Sequence, residues 1–352
     1  MKYQETFEKT KKNWDAMAKP IDALGCLEEI VCRINAVTGD ANRKVCPKCA
    51  LLVLCGDHGV VAEGVTQTDS SVTKIVAENF AKGLSSVNMM AKVAGADVFP
   101  VDVGMDCEPY DQKTLKSGYV TDRKIARATN NLKIEAAMSG EQFDAAVRTG
   151  INLVQELKSM GYEMVATGEM GIGNTTPTAV MTAAFLGLDA EQVTGRGAGL
   201  DDASFAVKRA VITEALDRIR GIEGFDKSAA RLISSEGGGY EIAVMTGIFI
   251  GGLKYEMPVI IDGVISSVAA LAAVRMDENV KRVLIASHMS MEPAMVYIMQ
   301  EMECSPIINA DMHLGEGSGC MAIIPLIKMA YAVYAGLGSF GDFGIEEYER
   351  YE

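Results

Sequence analysis

Apolar residues in the first forty positions recur mostly at intervals of three and four: Phe7, Trp14 and Met17, then Leu24, Leu27, Ile30, Val31 and Ile34. That spacing predicts two helices, separated where Pro20 breaks the run. The pattern then changes. Residues 51–54 form a continuous β-prone apolar run that ends at Gly-Asp-His-Gly in 56–59, as expected of a buried parallel strand running into a loop. Four more runs end the same way: 98–103 at Gly104, 163–167 at Gly168, 258–261 at Asp262 and Gly263, and 283–286 at Ser287 and His288. Helical spacing fills the intervals at 71–94, 140–160, 176–186 and 203–218.

Strands alternating with helices predict an α/β protein with a doubly wound, mostly parallel sheet of the Rossmann-like kind, its function carried by the loops after the strand C-termini. The most apolar stretches, 242–253, 264–274 and 320–337, are broken by Gly, Pro or Lys328, or are too short for a membrane span. They read as core strands and helices. No fixed-period repeat or low-complexity tract appears. The acidic segment 338–352 reads as a solvated tail or a terminal helix.

Composition narrows the function more than the fold. The formal charge of −14 over 352 residues argues against a surface that pairs with nucleic-acid backbones, which needs clustered Lys and Arg. A small anion remains possible, because one helix N-terminus can hold a phosphate on an acidic protein. The polar N-terminal segment has no apolar run to serve as a signal peptide, so a cytoplasmic location without membrane association is expected. Eight cysteines then imply free thiols rather than a disulfide framework. The pair Cys46 and Cys49 could hold zinc or cycle as a redox pair, but no second pair accompanies it, and the structural reading is preferred. No metal site is assigned, since His58, His288 and His313 are scattered.

Three glycine-rich segments carry the candidate chemistry. Residues 168–177, Gly-Glu-Met-Gly-Ile-Gly-Asn-Thr-Thr-Pro, follow a predicted strand and open a predicted helix, a setting in which exposed N–H groups bind an anion. A plain structural turn is the alternative, and neither the Walker pattern nor the full dinucleotide fingerprint is present. Residues 194–202 contain Arg196 and lead into a helix with Lys208, two cations suited to a phosphomonoester. Residues 314–319, Leu-Gly-Glu-Gly-Ser-Gly, place Glu316 between glycines, accessible yet held by backbone, which suits a general base.

Taken together, these motifs resemble the nicotinate-nucleotide:dimethylbenzimidazole phosphoribosyltransferase family, which prepares the lower-ligand nucleotide of cobamides. The resemblance runs from Lys19 to Ile324 and includes Gly-Asp-His-Gly-Val at 56–60, Asp-Val-Gly at 102–104, the 168–177 loop, Gly-Arg-Gly at 195–197, Lys208, Asp262 with Gly263, His288 with Ser290 and Glu292, and 314–319. It implies a large α/β domain over 41–324 and a small helical domain from 1–40 and 325–352. It implies nicotinate mononucleotide and an aromatic acceptor as substrates, no cofactor, and a homodimer or a heterodimer with a paralogous subunit.

Carried over by motif position, the resemblance assigns phosphate and ribose binding to Glu169, Gly171, Gly173, Asn174, Thr175, Thr176 and Lys208, and the general base to Glu316. Asp57 and His58 are expected to be wall and scaffold, and His288, Ser290 and Glu292 structural support. Thr66, Ile75, Met170 and Leu314 fall at the acceptor positions. The family has Gln where this chain has Ile75, so a less polar acceptor wall is expected, and with it a phenol or p-cresol acceptor, as some members use, with benzimidazole or adenine as the alternative. Two other readings compete: a non-catalytic paralogous subunit of a heterodimeric enzyme, against which the joint presence of Glu169, Lys208 and Glu316 argues, and a dinucleotide oxidoreductase, which the incomplete fingerprint weakens.

Overall fold

The computed structural model describes residues 2–197 and 199–350. Met1, Tyr351 and Glu352, inside the predicted end segments, and Ala198, inside the 194–202 cluster, lie outside the described residues.

The apolar runs become β1 (Cys49–Gly56), β2 (Asp97–Gly104), β4 (Met164–Met170), β5 (Val259–Ile261) and β6 (Leu284–Ala286), with a two-residue β3 (Thr121–Asp122) at one edge. They form one sheet in the order β3-β2-β1-β4-β5-β6, and every neighbouring pair is parallel. This is the doubly wound order, in which the topology reverses between β1 and β4 and ligands bind beyond the carboxyl ends of those strands. All eight residues of β1 are buried, because helices cover both faces. Leu52 and Leu54 face a core shared with the helices Gly140–Ser159 and Tyr240–Lys254, while Leu51 and Val53 face the helices Cys26–Thr38 and Ser318–Gly336.

Two boundaries differ from the sequence reading. Helical spacing over 71–94 is interrupted at Gly83, whose φ of 72° ends Ser71–Lys82 before Ser85 caps a second helix, Ser86–Ala94. The strand predicted to stop at Thr167 continues through Met170, because Gly168, Glu169 and Met170 pair with Val53, Leu54 and Cys55. Glu169 and Met170 therefore sit on the end of β4 rather than in the loop beyond it.

The chain ends meet. The predicted N-terminal helices are Lys2–Asp15 and Cys26–Thr38. Asn13 donates to the Tyr334 hydroxyl at 2.8 Å and Tyr331 donates to Asn35 Oδ1 at 2.7 Å, tying both helices to Ser318–Gly336. That third helix has the length and hydropathy of a membrane span, yet it packs as a core helix against Cys26–Thr38 and Ser86–Ala94, and its Lys328 donates to the Ala94 carbonyl at 2.6 Å. The acidic C-terminal segment forms only a short turn of helix, Phe340–Phe343, and its Arg350 reaches back to Asp15 and Asp22 at 2.7 and 2.6 Å.

Candidate active site

Beyond the carboxyl ends of β1, β4 and β5 lies a cleft of about 250 Å³. Glu169, Met170, Gly171, Gly173, Asn174, Thr175, Lys208, Thr66, Leu314 and Glu316 all line it. Thr176 and Ile75 do not. Thr176 is fully buried in the first turn of the helix Thr175–Leu186, and Ile75 is 57% exposed on the outer side of Ser71–Lys82. On that helix the inward face belongs to Thr73, Ala77 and Phe80, and the Thr73 hydroxyl accepts from the Ile172 N–H at 3.2 Å. Two residues past Thr73 is about 200° around a helix, so Ile75 points away from the loop its neighbour holds.

One side of the cleft is built on β4 and the helix that follows. Asn174 precedes the helix Thr175–Leu186, and its side-chain amide donates to the Glu169 carboxylate instead of capping the helix. At the helix start the Thr176 N–H donates to the Gly173 carbonyl at 3.0 Å, the Thr178 N–H donates to the Asn174 carbonyl at 3.1 Å and Pro177 has no N–H, which leaves the Thr175 N–H and the positive end of the helix to meet an anion. Lys208 enters from the helix Asp202–Arg220, 1% exposed, and donates to Thr175 Oγ1 at 2.7 Å and to the Gly195 carbonyl at 3.0 Å. Burial draws its ammonium down to about 8, against a smaller upward pull from Glu292. Glu292 in turn accepts from the Gly197 N–H at 3.1 Å and so fixes the loop that carries Arg196.

Beneath this loop lies a buried ion pair, His58 Nε2 to Glu241 Oε1 at 3.0 Å, both side chains wholly inaccessible. Burial lowers the affinity of His58 for a proton, but Glu241 outweighs it and the net shift is upward. The scaffold role expected of His58 thus depends on Glu241, a carboxylate inside an almost wholly apolar helix that the sequence pattern does not single out.

The opposite wall carries Glu316. Gly315, Glu316 and Gly317 have φ values of 80°, 62° and 91°, three successive residues in the left-handed region. For Glu316 this costs about 1–2 kcal/mol. Its backbone lies directly on β4: a Cβ at Gly168 would come within 2.5 Å of the Glu316 carbonyl, and one at Gly317 would run into Leu51. Both glycines are required by close approach, which explains why the pattern has Gly at 168 and 317. Burial pushes the Glu316 carboxyl up, the Val87 N–H pulls it down, and Asp262 adds a further upward push. Its Oε2 has no hydrogen-bond partner.

Asp262, 1% exposed at the end of β5, sits under that loop. Its carboxylate accepts from the Gly317, Gly319 and Cys320 N–H groups at 3.0, 2.7 and 3.3 Å. Burial raises its proton affinity, while His288 and those three N–H groups lower it. His288 is shifted down by burial. Glu169 is shifted too: burial and then Asp262 push it up to about 8, against the hydrogen bond from Asn174. In the sequence Asp262 shows only as an Asp at a strand end and as part of the motif with Gly263, without a role.

The cleft thus joins a helix start and a buried lysine, a pairing suited to an anion, to the carboxylate of Glu316, with Val65, Met170, Leu200 and Leu314 as apolar parts of its lining. Cys46 and Cys49 lie elsewhere, and burial pushes the Cys46 thiol up to about 11 and that of Cys49 higher still, the opposite of a reactive or ligating pair. Among the described residues, no group of three His, Cys, Asp or Glu side chains is placed to hold a metal.

Comparison with known proteins places the chain in a family. A family model described as phosphoribosyltransferase matches residues 2–345. The nicotinate-nucleotide–dimethylbenzimidazole phosphoribosyltransferase of Ruminiclostridium cellulolyticum is 37% identical over 99% of this chain and 96% of its own length. The protein of that name from Citrifermentans bemidjiense is 38% identical over 94% of this chain and 92% of its own. The crystal structure of CobT from Thermus thermophilus superposes with a TM-score of 0.88 at 32% identity, covering 97% of this chain and 99% of that one. The chain is therefore an enzyme of the nicotinate-nucleotide–dimethylbenzimidazole phosphoribosyltransferase family.

Proposed function

We propose that this enzyme moves phosphoribose from nicotinate mononucleotide to an aromatic lower-ligand acceptor, releasing nicotinate and an α-riboside phosphate for cobamide synthesis. The observation that carries the reading is the placement of Glu316 opposite the Gly171–Thr175 anion site in one cleft. The nucleotide phosphate binds the helix start and Lys208, and Glu169 holds the ribose. Nicotinate leaves as a neutral ring, since breaking its N-glycosidic bond removes the charge from its nitrogen. Departure therefore needs no acid. The acceptor attacks C1 from the opposite face, inverting it, and passes its proton to Glu316. Holding the two rings in line supplies much of the acceleration.

Two finer points belong to the same proposal. The acceptor is a phenol or p-cresol, or 5,6-dimethylbenzimidazole as in the relatives' names. Met170, Leu314, Val65 and Leu200 support an acceptor recognised by size, although Ile75, outside the cleft, adds nothing to that wall. The assembly is a homodimer or a heterodimer with a paralogous subunit, and the joint presence of Glu169, Lys208 and Glu316 in one cleft favours an active chain over a silent partner. Incubation with nicotinate mononucleotide and a panel of benzimidazoles, purines and phenols, followed by mass analysis, is expected to give nicotinate and one favoured α-riboside phosphate. Release of nicotinate with no acceptor consumed, or no reaction at all, rejects the proposal.

A further inference from the structure

We infer that Asp262 is a positioning residue for the base: its carboxylate clamps the loop 315–320 and so holds Glu316 in its left-handed conformation, aimed across the cleft. The inference rests on the reading of Glu316 as the proton acceptor. Its own basis is separate and geometric.

Three successive left-handed residues do not persist without support, because only the two glycines adopt that conformation freely. Packing supplies one constraint, with Gly168 and Leu51 beneath the loop. Packing alone blocks approach from below; it does not draw the loop down. The carboxylate of Asp262 does so. One oxygen takes the Gly317 N–H, immediately after Glu316, and the other takes the Gly319 and Cys320 N–H groups in the first turn of Ser318–Gly336. These are free donors of a helix start, and here the cap comes from a different strand.

The clamp is itself fixed at its other end. Asp262 follows β5, its N–H donates to Ser266 Oγ at 3.2 Å, and its carbonyl accepts from Ser287 Oγ at 3.1 Å. Ser266 Oγ in turn lies 2.6 Å from Thr167 Oγ1 on β4. The position of Glu316 is therefore referred to the strands that also carry Glu169, so the base and the ribose-binding carboxylate share one frame. A Cβ at Gly315 would strike the Glu169 carboxylate, which shows how closely the two walls meet. Asp262 also lines the cleft and raises Glu169, but its carboxylate hydrogen bonds go to the loop that carries Glu316, so its loss acts on turnover more than on nucleotide binding.

The test is a double-mutant cycle of Asp262→Asn and Glu316→Gln, with nucleotide binding measured by calorimetry and folding by circular dichroism and thermal melting. Asp262→Asn keeps the shape but replaces one acceptor oxygen by a donor. It is expected to lower kcat by about a hundredfold while KM for nicotinate mononucleotide changes less than about threefold, the pattern of an interaction felt only in the transition state. In the Glu316→Gln background the same substitution is expected to add no further loss, since there is no base left to misplace. Where Asp262→Asn fails to fold, the smaller Asp262→Ser takes its place in the cycle. A folded Asp262 variant with unchanged kcat, or equal losses in both backgrounds, overturns the inference. Full activity of Glu316→Gln alone overturns the underlying reading instead.

Discussion

Lys208 reaches from its helix to Thr175 Oγ1 at 2.7 Å, so the cation of the site and the start of the helix Thr175–Leu186 form one unit before any nucleotide arrives. Glu292 acts on this buried ammonium without pairing with it directly, and a phosphate supplies a counter-charge in contact. Charge-assisted hydrogen bonds contribute about 1.5–3 kcal/mol, so Lys208→Gln is expected to weaken nicotinate mononucleotide binding by about ten- to a hundredfold. Because burial holds the ammonium near 8, wild-type affinity is also expected to fall as pH rises through that value. Calorimetric titrations between about pH 7 and 9 check both, and a flat profile removes Lys208 from phosphate binding.

Glu169 makes folding stability pH-dependent. Its folded carboxyl titrates near 8, against 4.5 for the ordinary group, so the folded state binds the extra proton between those values. The contribution is fully present below the unfolded value and is lost as pH rises through about 8. Glu169→Gln keeps an oxygen to accept from Asn174 and no longer titrates. The variant is expected to match wild type near pH 4.5 and to exceed it by a few kcal/mol near pH 8, which denaturant unfolding at the two pH values measures.

The acceptor wall separates two substitutions. Ile75→Gln, on the exposed side of its helix, is expected to leave the preference among phenols and benzimidazoles within about twofold. Met170→Gln, on the cleft wall, puts a polar group where the acceptor ring lies and is expected to change that preference by at least about tenfold. Competition assays with paired acceptors decide it. A large effect of Ile75→Gln would return that residue to the acceptor site.

Gly317→Ala is expected to be severe. Its Cβ would run into Leu51, and alanine disfavours the φ of 91°. A loss of about 2–4 kcal/mol in stability, or a displaced Glu316 with turnover down at least about tenfold, is the expected outcome in unfolding and steady-state assays. A variant as stable and active as wild type contradicts the packing of this loop on β4.

Much of the fold is legible in the sequence because β1, β2, β4, β5 and β6 are buried on both faces and so appear as largely apolar runs ending in glycine or polar residues. The two-residue β3 leaves no such trace. The 168–177 and 314–319 segments announce themselves through glycines that close approach demands. Asp262 and Glu292 appear in the sequence only as members of motifs and Glu241 not at all, since what they do depends on donors and partners that are distant in sequence: Asp262 serves N–H groups 55 to 58 residues away, and Glu292 one 95 residues away. Ile75 lies outside the cleft for a related reason. Its position in a motif places it near the acceptor, whereas the face it occupies depends on how Thr73, Ala77 and Phe80 pack.

The central claim is that Glu316 takes the proton of the incoming acceptor, and Glu316→Gln tests it directly because the change keeps the side chain's shape and removes its basicity. Product formation from nicotinate mononucleotide and the favoured acceptor is predicted to fall by about a hundred- to ten-thousandfold, with nucleotide affinity kept. A variant that binds the nucleotide and turns over at the wild-type rate would contradict the account.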